Sequence, residues 1–337
     1  MLRSLLPCVL LTLSCAEVGT ATPSPTTPAS QAPDTAADTG RIEATAPAKP
    51  ERPAKVAAQA HAVDSGGHAI NVWSKSADSP RDVIVLVHGR TWSARPDFDL
   101  QVEGESRSSM DAFVAEGFAV YAVDLRGYGD TPRDDTGWLT PDQAAADLAA
   151  VLSWVATQHA DLPTPSVLGW SMGSMVAHLT AQKHPELQSS VILYGYPRGP
   201  SRKKTRDPDE PSKPPRKPTT VKAAVEDFIV KGAISQAASD AFGRAAVEAD
   251  PVRADWRNGE QWNAMKAAAL HVPTLLIHGE RDPYAPLRVQ GAVFMSLGHA
   301  DRQWVVLAGC DHAAHLERCG PRFVQAVVGF VRRPSVE

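Results

Sequence analysis

Long hydrophobic runs are nearly absent from this chain of 337 residues. The single sustained one, Leu5 to Leu13 with Pro7 inside it, falls far short of the roughly 20 apolar residues of a spanning helix, so no transmembrane helix is expected in the body. A charge excess is missing as well. With 34 Lys and Arg against 38 Asp and Glu, the formal charge of -4 gives no footprint for nucleic acid, and no such partner is expected. Cysteine is scarce, at four residues, and no Cys/His spacing suggests a metal. There is no Gly-rich phosphate cradle and no internal repeat, so no metal or other cofactor is expected. What is present, 43% hydrophobic and 21% charged residues, suffices for one large core or two ordinary ones.

The N-terminus reads as an address. Arg3 is a positive start, Leu5 to Leu13 a short apolar region, and Ser14-Cys15 a small residue before cysteine, the order of a secretory signal. Residues 1–15 also resemble a bacterial lipoprotein signal, although Thr12 stands where leucine is usual. The resemblance implies that Cys15 receives lipid and holds the chain to a membrane on the periplasmic or cell-surface side; plain secretion is the alternative. Residues 16–55 are Pro, Ala, Thr and Ser with scattered charge and almost no large apolar side chain. Such a stretch cannot bury enough surface to offset its ordering entropy, so a disordered linker is expected.

Residues 56–337 change character. Short β-rich runs alternate with helical patterns: Val83 to Val87, Phe118 to Val123, Val167-Leu168, Val191 to Tyr194, Thr274 to Ile277 and Trp304 to Leu307. These runs lack period-2 alternation, as strands buried on both faces of a parallel sheet do. Thr140-Pro141-Asp142-Gln143 reads as a capped helix start with Gln143 closing a capping box, and Leu148, Val151, Leu152 and Val155 form one apolar stripe. The rhythm predicts an α/β fold with a doubly wound, mostly parallel sheet, whose functional groups gather beyond the carboxyl ends of the strands. Residues 56 to 74 add an antiparallel opening. Residues 197–270 are too long for a crossover and predict an inserted helical cap, its Pro-rich, basic first part mobile and its Ala-rich part from Val221 to Leu270 several helices.

Gly169-Trp170-Ser171-Met172-Gly173 lies between a strand and the helical run Met175, Val176, Leu179. In a G-x-S-x-G turn the serine is strained and projects its hydroxyl at the strand end, while the flanking glycines admit close backbone. Two later strands lead into Gly279-Glu280-Arg281-Asp282 and Gly309-Cys310-Asp311-His312. The order Ser171, Asp282, His312 at three strand ends suits a nucleophile, an orienting acid and a base, with Glu280 or Asp311 as alternative acids and His315 as the alternative base. These motifs resemble those of the α/β-hydrolase superfamily, within its serine esterase and cofactor-free haloperoxidase-like group. The resemblance extends to His88-Gly89-Arg90-Thr91, similar to the family's oxyanion loop, which implies that the N–H groups of Arg90 and Met172 bind the oxyanion. His88, Gly89, Gly169, Trp170 and Gly173 would support the elbow and loop. Asp124 to Gly129 matches a further motif of loop architecture. The Arg90 side chain is left to meet an acidic substrate group or to pair with a cap carboxylate.

The resemblance implies a carboxylic-ester hydrolase acting on a small-molecule ester through an acyl-enzyme. A cofactor-free perhydrolase or haloperoxidase, a carbon-carbon hydrolase or an acyltransferase would share the triad, and a surface-tethered binding protein without catalysis is the reading from another class. Substrate identity and oligomeric state are not encoded in any motif. Cysteine arithmetic adds one expectation. Cys8 leaves with the signal and Cys15 is lipidated, so an oxidising compartment receives the pair Cys310 and Cys319, whose disulfide would close the loop carrying His312; separate thiols are the alternative.

Overall fold

A computed structural model of the chain describes residues 56–206 and 211–334. The expected signal, Cys15 and the linker 16–55 lie outside the described residues, as do Asp207, Asp209 and Glu210 of the insertion.

The fold opens on an antiparallel hairpin of β1 (Gln59–Ser65) and β2 (His68–Ser76). Six parallel strands follow: β3 (Asp82–Val87), β4 (Phe118–Val123), β5 (Ser166–Trp170), β6 (Ser190–Tyr194), β7 (Thr274–Gly279) and β8 (Arg302–Leu307). The sheet runs β1-β2-β4-β3-β5-β6-β7-β8, with β2 antiparallel to β4. From β3 the chain steps one way to β4 and the other way to β5. The crevice left beyond the carboxyl ends of β3 and β5 is where a doubly wound sheet places its ligand.

Among the described residues, eight helices pack around this sheet: α1 (Ala94–Phe98), α2 (Ser109–Ala115), α3 (Pro141–Gln158), α4 (Met172–Lys183), α5 (Val221–Val225), α6 (Gln236–Ala249), α7 (Leu287–Ser296) and α8 (Gly320–Val331). The central strands show why alternation was missing from the sequence. Val83, Val85 and Val87 of β3 enter one core with α3 and α4, while Ile84 and Leu86 enter a second with α2 and α8, so both faces select apolar residues. Each such side chain contributes about 1.5–3 kcal/mol on burial. The edge strand β8 departs from the expectation: Gln303 and Val306 are exposed, as no strand among the described residues pairs with its outer side.

The start of α3 follows the sequence only in part. Thr140 accepts from the N–H of Gln143, but the Gln143 side-chain amide donates to Asp134 at 2.7 Å, an interaction with a neighbouring loop in place of the reciprocal half of a capping box. The last helix, α8, begins at Gly320 with Pro321 in its first turn.

The insertion is less helical than its alanine content suggests. Among its described residues α5 and α6 are the α-helices, around a small core of Ala224, Ala238, Phe242 and Ala246 that also takes in Trp92 and Leu316. Beyond Ala249 the chain turns through Pro251 and a left-handed Asn258 into short 3-10 turns, with Asp255–Trp256 pairing beside Trp138–Leu139. Pro251 cannot donate to a helix ladder, and the left-handed residue ends any run that reaches it.

Candidate active site

Ser171 sits at the junction of β5 and α4 with φ 53° and ψ -116°, a conformation that costs a non-glycine residue about 1–3 kcal/mol and that its surroundings must enforce. The enforcement is backbone packing. A Cβ at Gly169 would stand 2.2 Å from the Gly173 carbonyl oxygen, and one at Gly173 would stand 2.2 Å from the Val87 oxygen, so β3, β5 and α4 meet at contact distances only glycine allows. The Ser171 N–H is itself tied to Tyr194 O at 2.8 Å, fixing the turn to β6.

The loops after β7 and β8 bring Asp282 and His312 together, His312 Nδ1 lying 2.8 Å from Asp282 Oδ2 with both side chains buried. The other carboxylate oxygen, Oδ1, accepts from the N–H groups of Tyr284 and Ala285. A carboxylate so held faces Nδ1 as an acceptor, an arrangement that favours the imidazole tautomer with its proton on Nδ1. The alternatives from the sequence are placed elsewhere. Glu280 accepts from Gly309 N, and Asp311 accepts from Ile229, Val230 and Ala313 N–H groups. His315 is buried between Tyr194 Oη and the Asp97 carbonyl, and burial pushes its pKa down to about 3. It is a neutral structural histidine.

The loop after β3 is locked from several sides. His88 donates from Nδ1 to Gly89 O and accepts at Nε2 from Leu125 N, and burial lowers its pKa to about 4. Gly89 N donates to Asp97, Tyr128 donates to Arg90 O, and Trp256 donates in turn to Tyr128 Oη. Among the described residues, no carbonyl accepts from the N–H of Arg90 or Met172. Two donors at the ends of β3 and β5 are therefore left for a ligand oxygen. Of the two roles left open for the Arg90 side chain, a cap carboxylate is not found among the described residues; its charged neighbours are Arg253 and Lys204.

The family model described as "Serine aminopeptidase, S33" matches residues 78–319, and these strands, loops and helices fall within that span. The chain belongs to the α/β-hydrolase superfamily. Among curated relatives, a monoacylglycerol lipase of Mycolicibacterium smegmatis is 27% identical over 237 residues, 64% of this chain and 75% of the relative. An AB hydrolase superfamily protein of Bacillus subtilis, YisY, is 26% identical over 62% of this chain and 80% of its own length. The fold is shared with a thioesterase domain from the curacin biosynthetic pathway (TM-score 0.58, 18% identity, 81% of this chain and 99% of that one). It is shared equally with the esterase RhEst1 from Rhodococcus sp. ECU1013 (TM-score 0.56, 21% identity, 81% and 98%).

In this hydrolase, Ser171 and Met172 open onto a cavity of about 780 Å³ beneath the insertion. Trp138, Met175, Trp256 and Trp262 supply apolar wall, and the remainder is dominated by Arg and Lys. Cys310 and Cys319 are joined by a disulfide with a Cα separation of 6.2 Å, closing the loop that carries His312 and His315.

Several positioning residues of the hydrolase went unnoticed in the sequence. Tyr194 Oη donates to the His312 carbonyl at 2.9 Å, beside Trp170 Nε1, which the sequence had assigned to elbow support and which donates to the same carbonyl at 2.9 Å. Gly195, at φ 56°, lies against the His312 ring. Asp97 holds Gly89, and Asp250 of the cap accepts from Ser93 and Gly129 N–H groups. Tyr194-Gly195 after a strand was the one readable signal among these, a glycine at a further strand end. Asp97 and Asp250 act only through tertiary contacts.

Proposed function

We propose that this hydrolase cleaves carboxylic esters of small molecules through an acyl-enzyme on Ser171. The observation that carries the reading is the strained Ser171 lining the cavity, in a chain whose buried Asp282 holds His312 through Nδ1 so that Nε2 can serve as the base. Ser171 Oγ attacks the ester carbonyl as its proton passes to His312 Nε2, and the imidazolium is held by Asp282 through Nδ1–H. The oxyanion takes hydrogen bonds from Arg90 N–H and Met172 N–H, each worth about 3 kcal/mol to the barrier in such sites. The leaving alcohol receives the proton from Nε2. Water, deprotonated by the same nitrogen, then attacks the acyl-enzyme and releases the acid.

Likeness to a monoacylglycerol lipase and to an esterase supports an ester over an amide. The test is a fluorophosphonate probe with mass-spectrometric localisation, joined to a panel of 4-nitrophenyl esters and an amino-acid 4-nitroanilide. Ser171 is expected to carry the probe, and esters to turn over faster than the anilide. Ser171→Ala is expected to lose ester turnover by several orders of magnitude with its Tm within about 2 °C of wild type, since no core cavity opens. Near-normal turnover in that variant would remove Ser171 from the chemistry. For the N-terminal segment we propose export with lipid on Cys15 and residues 16–55 as a tether.

A further inference from the structure

The cavity above Ser171 has a charge that the chain as a whole does not. Among the described residues, eight basic side chains line it against two acidic ones, in a protein of formal charge -4, and one of the two acids, Asp255, is already held by Arg133 at 2.9 Å. Arg198 is only 6% exposed, yet its hydrogen bond runs to the neutral amide of Asn263 and to no described carboxylate. Arg257 stacks over Trp138 and its buried Nε has no hydrogen-bond partner among the described residues. A guanidinium buried without an anion is costly, and such groups are ordinarily paired. Their neighbours repel one another. The ammonium of Lys204 is held below its ordinary pKa by desolvation and then by Arg90, Arg202 and Arg198, and Arg90 by desolvation and then by Arg253.

Cations gathered from β3's loop, the start of the insertion and its end, none of them ion-paired to a carboxylate among the described residues, form a site built for an anion. The tryptophans and Met175 beside them offer apolar surface, so the ligand has a hydrophobic body and a charged head. Resting on the reading of Ser171 as an esterase nucleophile, we propose that the substrates are esters carrying a carboxylate or phosphate, with the charged group seated among Arg90, Arg198, Lys204, Arg253 and Arg257. Such a site raises the local concentration of anionic substrate and discriminates against neutral esters of equal length, and both effects fall with ionic strength.

The experiment compares matched esters on the full chain. Mono-4-nitrophenyl adipate and 4-nitrophenyl 6-(phosphonooxy)hexanoate are set against 4-nitrophenyl hexanoate, and 4-carboxyphenyl hexanoate against 4-acetylphenyl hexanoate, so that charge is tried on the acyl and the alcohol side. At least one anionic ester is expected to exceed its neutral partner in kcat/KM by tenfold or more, the better head group distinguishing carboxylate from phosphate. That ratio is expected to fall at least threefold between 0.05 and 0.5 M NaCl, and about tenfold in Arg253→Gln and in Lys204→Gln. Neutral esters hydrolysed as well as every anionic partner overturn the proposal. So does a preference that emerges only after Asp207→Asn, Asp209→Asn and Glu210→Gln, since those acids would then be the partners of the cations. Calorimetric binding of the same esters to the Ser171→Ala protein separates the two readings. Anion-selective binding without turnover in the wild type sinks the esterase reading and keeps this one, whereas equal or absent binding of both classes sinks this one.

Discussion

Gly195→Ala probes the histidine without touching a triad atom. A Cβ at this position would stand 3.0 Å from both Cε1 and Nδ1 of His312 and 3.3 Å from Asp282 Oδ2, where ordinary contact needs about 3.5 Å or more. The ring must yield by about 0.5 Å, yet it is confined by Tyr284 at a centroid distance of 4.8 Å and by Trp170 at 5.3 Å. A displacement of 1 Å at a catalytic group costs about 10²-fold, so about tenfold is expected here, falling on kcat with KM little changed. The left-handed φ of 56° adds a backbone cost of about 1–2 kcal/mol, or roughly 2–8 °C in Tm for a domain of this size. The control is Gly66→Ala in the β1–β2 turn, where φ is 61° and nothing lies within 4 Å of the added Cβ. It should show the same loss of Tm with wild-type kcat. Steady-state kinetics on a 4-nitrophenyl ester and calorimetric melting measure both. If Gly195→Ala lost stability but kept full kcat, as Gly66→Ala should, the claim that this glycine sets the position of the His312 ring would be refuted.

Opening the Cys310–Cys319 bridge, with its nine-residue separation, should cost about 2.5 kcal/mol. Alkylation of unreduced, denatured protein should leave both cysteines unmodified, and modification of both would disprove the bond. Glu317, buried and pushed by burial and then by Asp311 to a pKa of about 8, favours the fold as a neutral acid. Because its folded pKa exceeds its unfolded value of 4.5, that contribution is complete below pH 4.5 and is lost as pH rises through 8. Glu317→Gln should therefore gain Tm over wild type by about 3 °C per pH unit between pH 5 and 8, and a constant difference across that range would refute the assignment. In a bacterial host, Cys15→Ser should move the protein out of the membrane fraction or stall its processing. Unchanged fractionation with an unlipidated Cys15 in wild-type mass spectra would favour simple secretion.

Much of the scaffold was legible because it depends on local pattern. The strand runs were read within one or two residues, since a strand buried on both faces admits little but Val, Ile, Leu and Ala, and the G-x-S-x-G turn named its own geometry through two glycines that backbone contact requires. The cap was legible as an insertion but its interior was not. Alanine favours helix in any context, whereas the irregular path from Pro251 to Leu270 is set by contacts such as the pairing of Asp255–Trp256 with Trp138–Leu139, over a hundred residues away. Arg90 shows the same limit. Its position after β3 was readable, but its cationic neighbours come from segments near residues 200 and 253, and no local pattern announces that they converge.

Asp311 stands beside His312 in the chain, and its carboxylate receives the N–H groups of Ile229 and Val230 from the insertion, while Arg318 N donates to Ala233 O nearby. The insertion is thus not a module laid over a finished catalyst. The same loop between Cys310 and Cys319 answers to both, and a transplant that brought a foreign cap without a partner for Asp311 would import a new specificity and an unmoored base together.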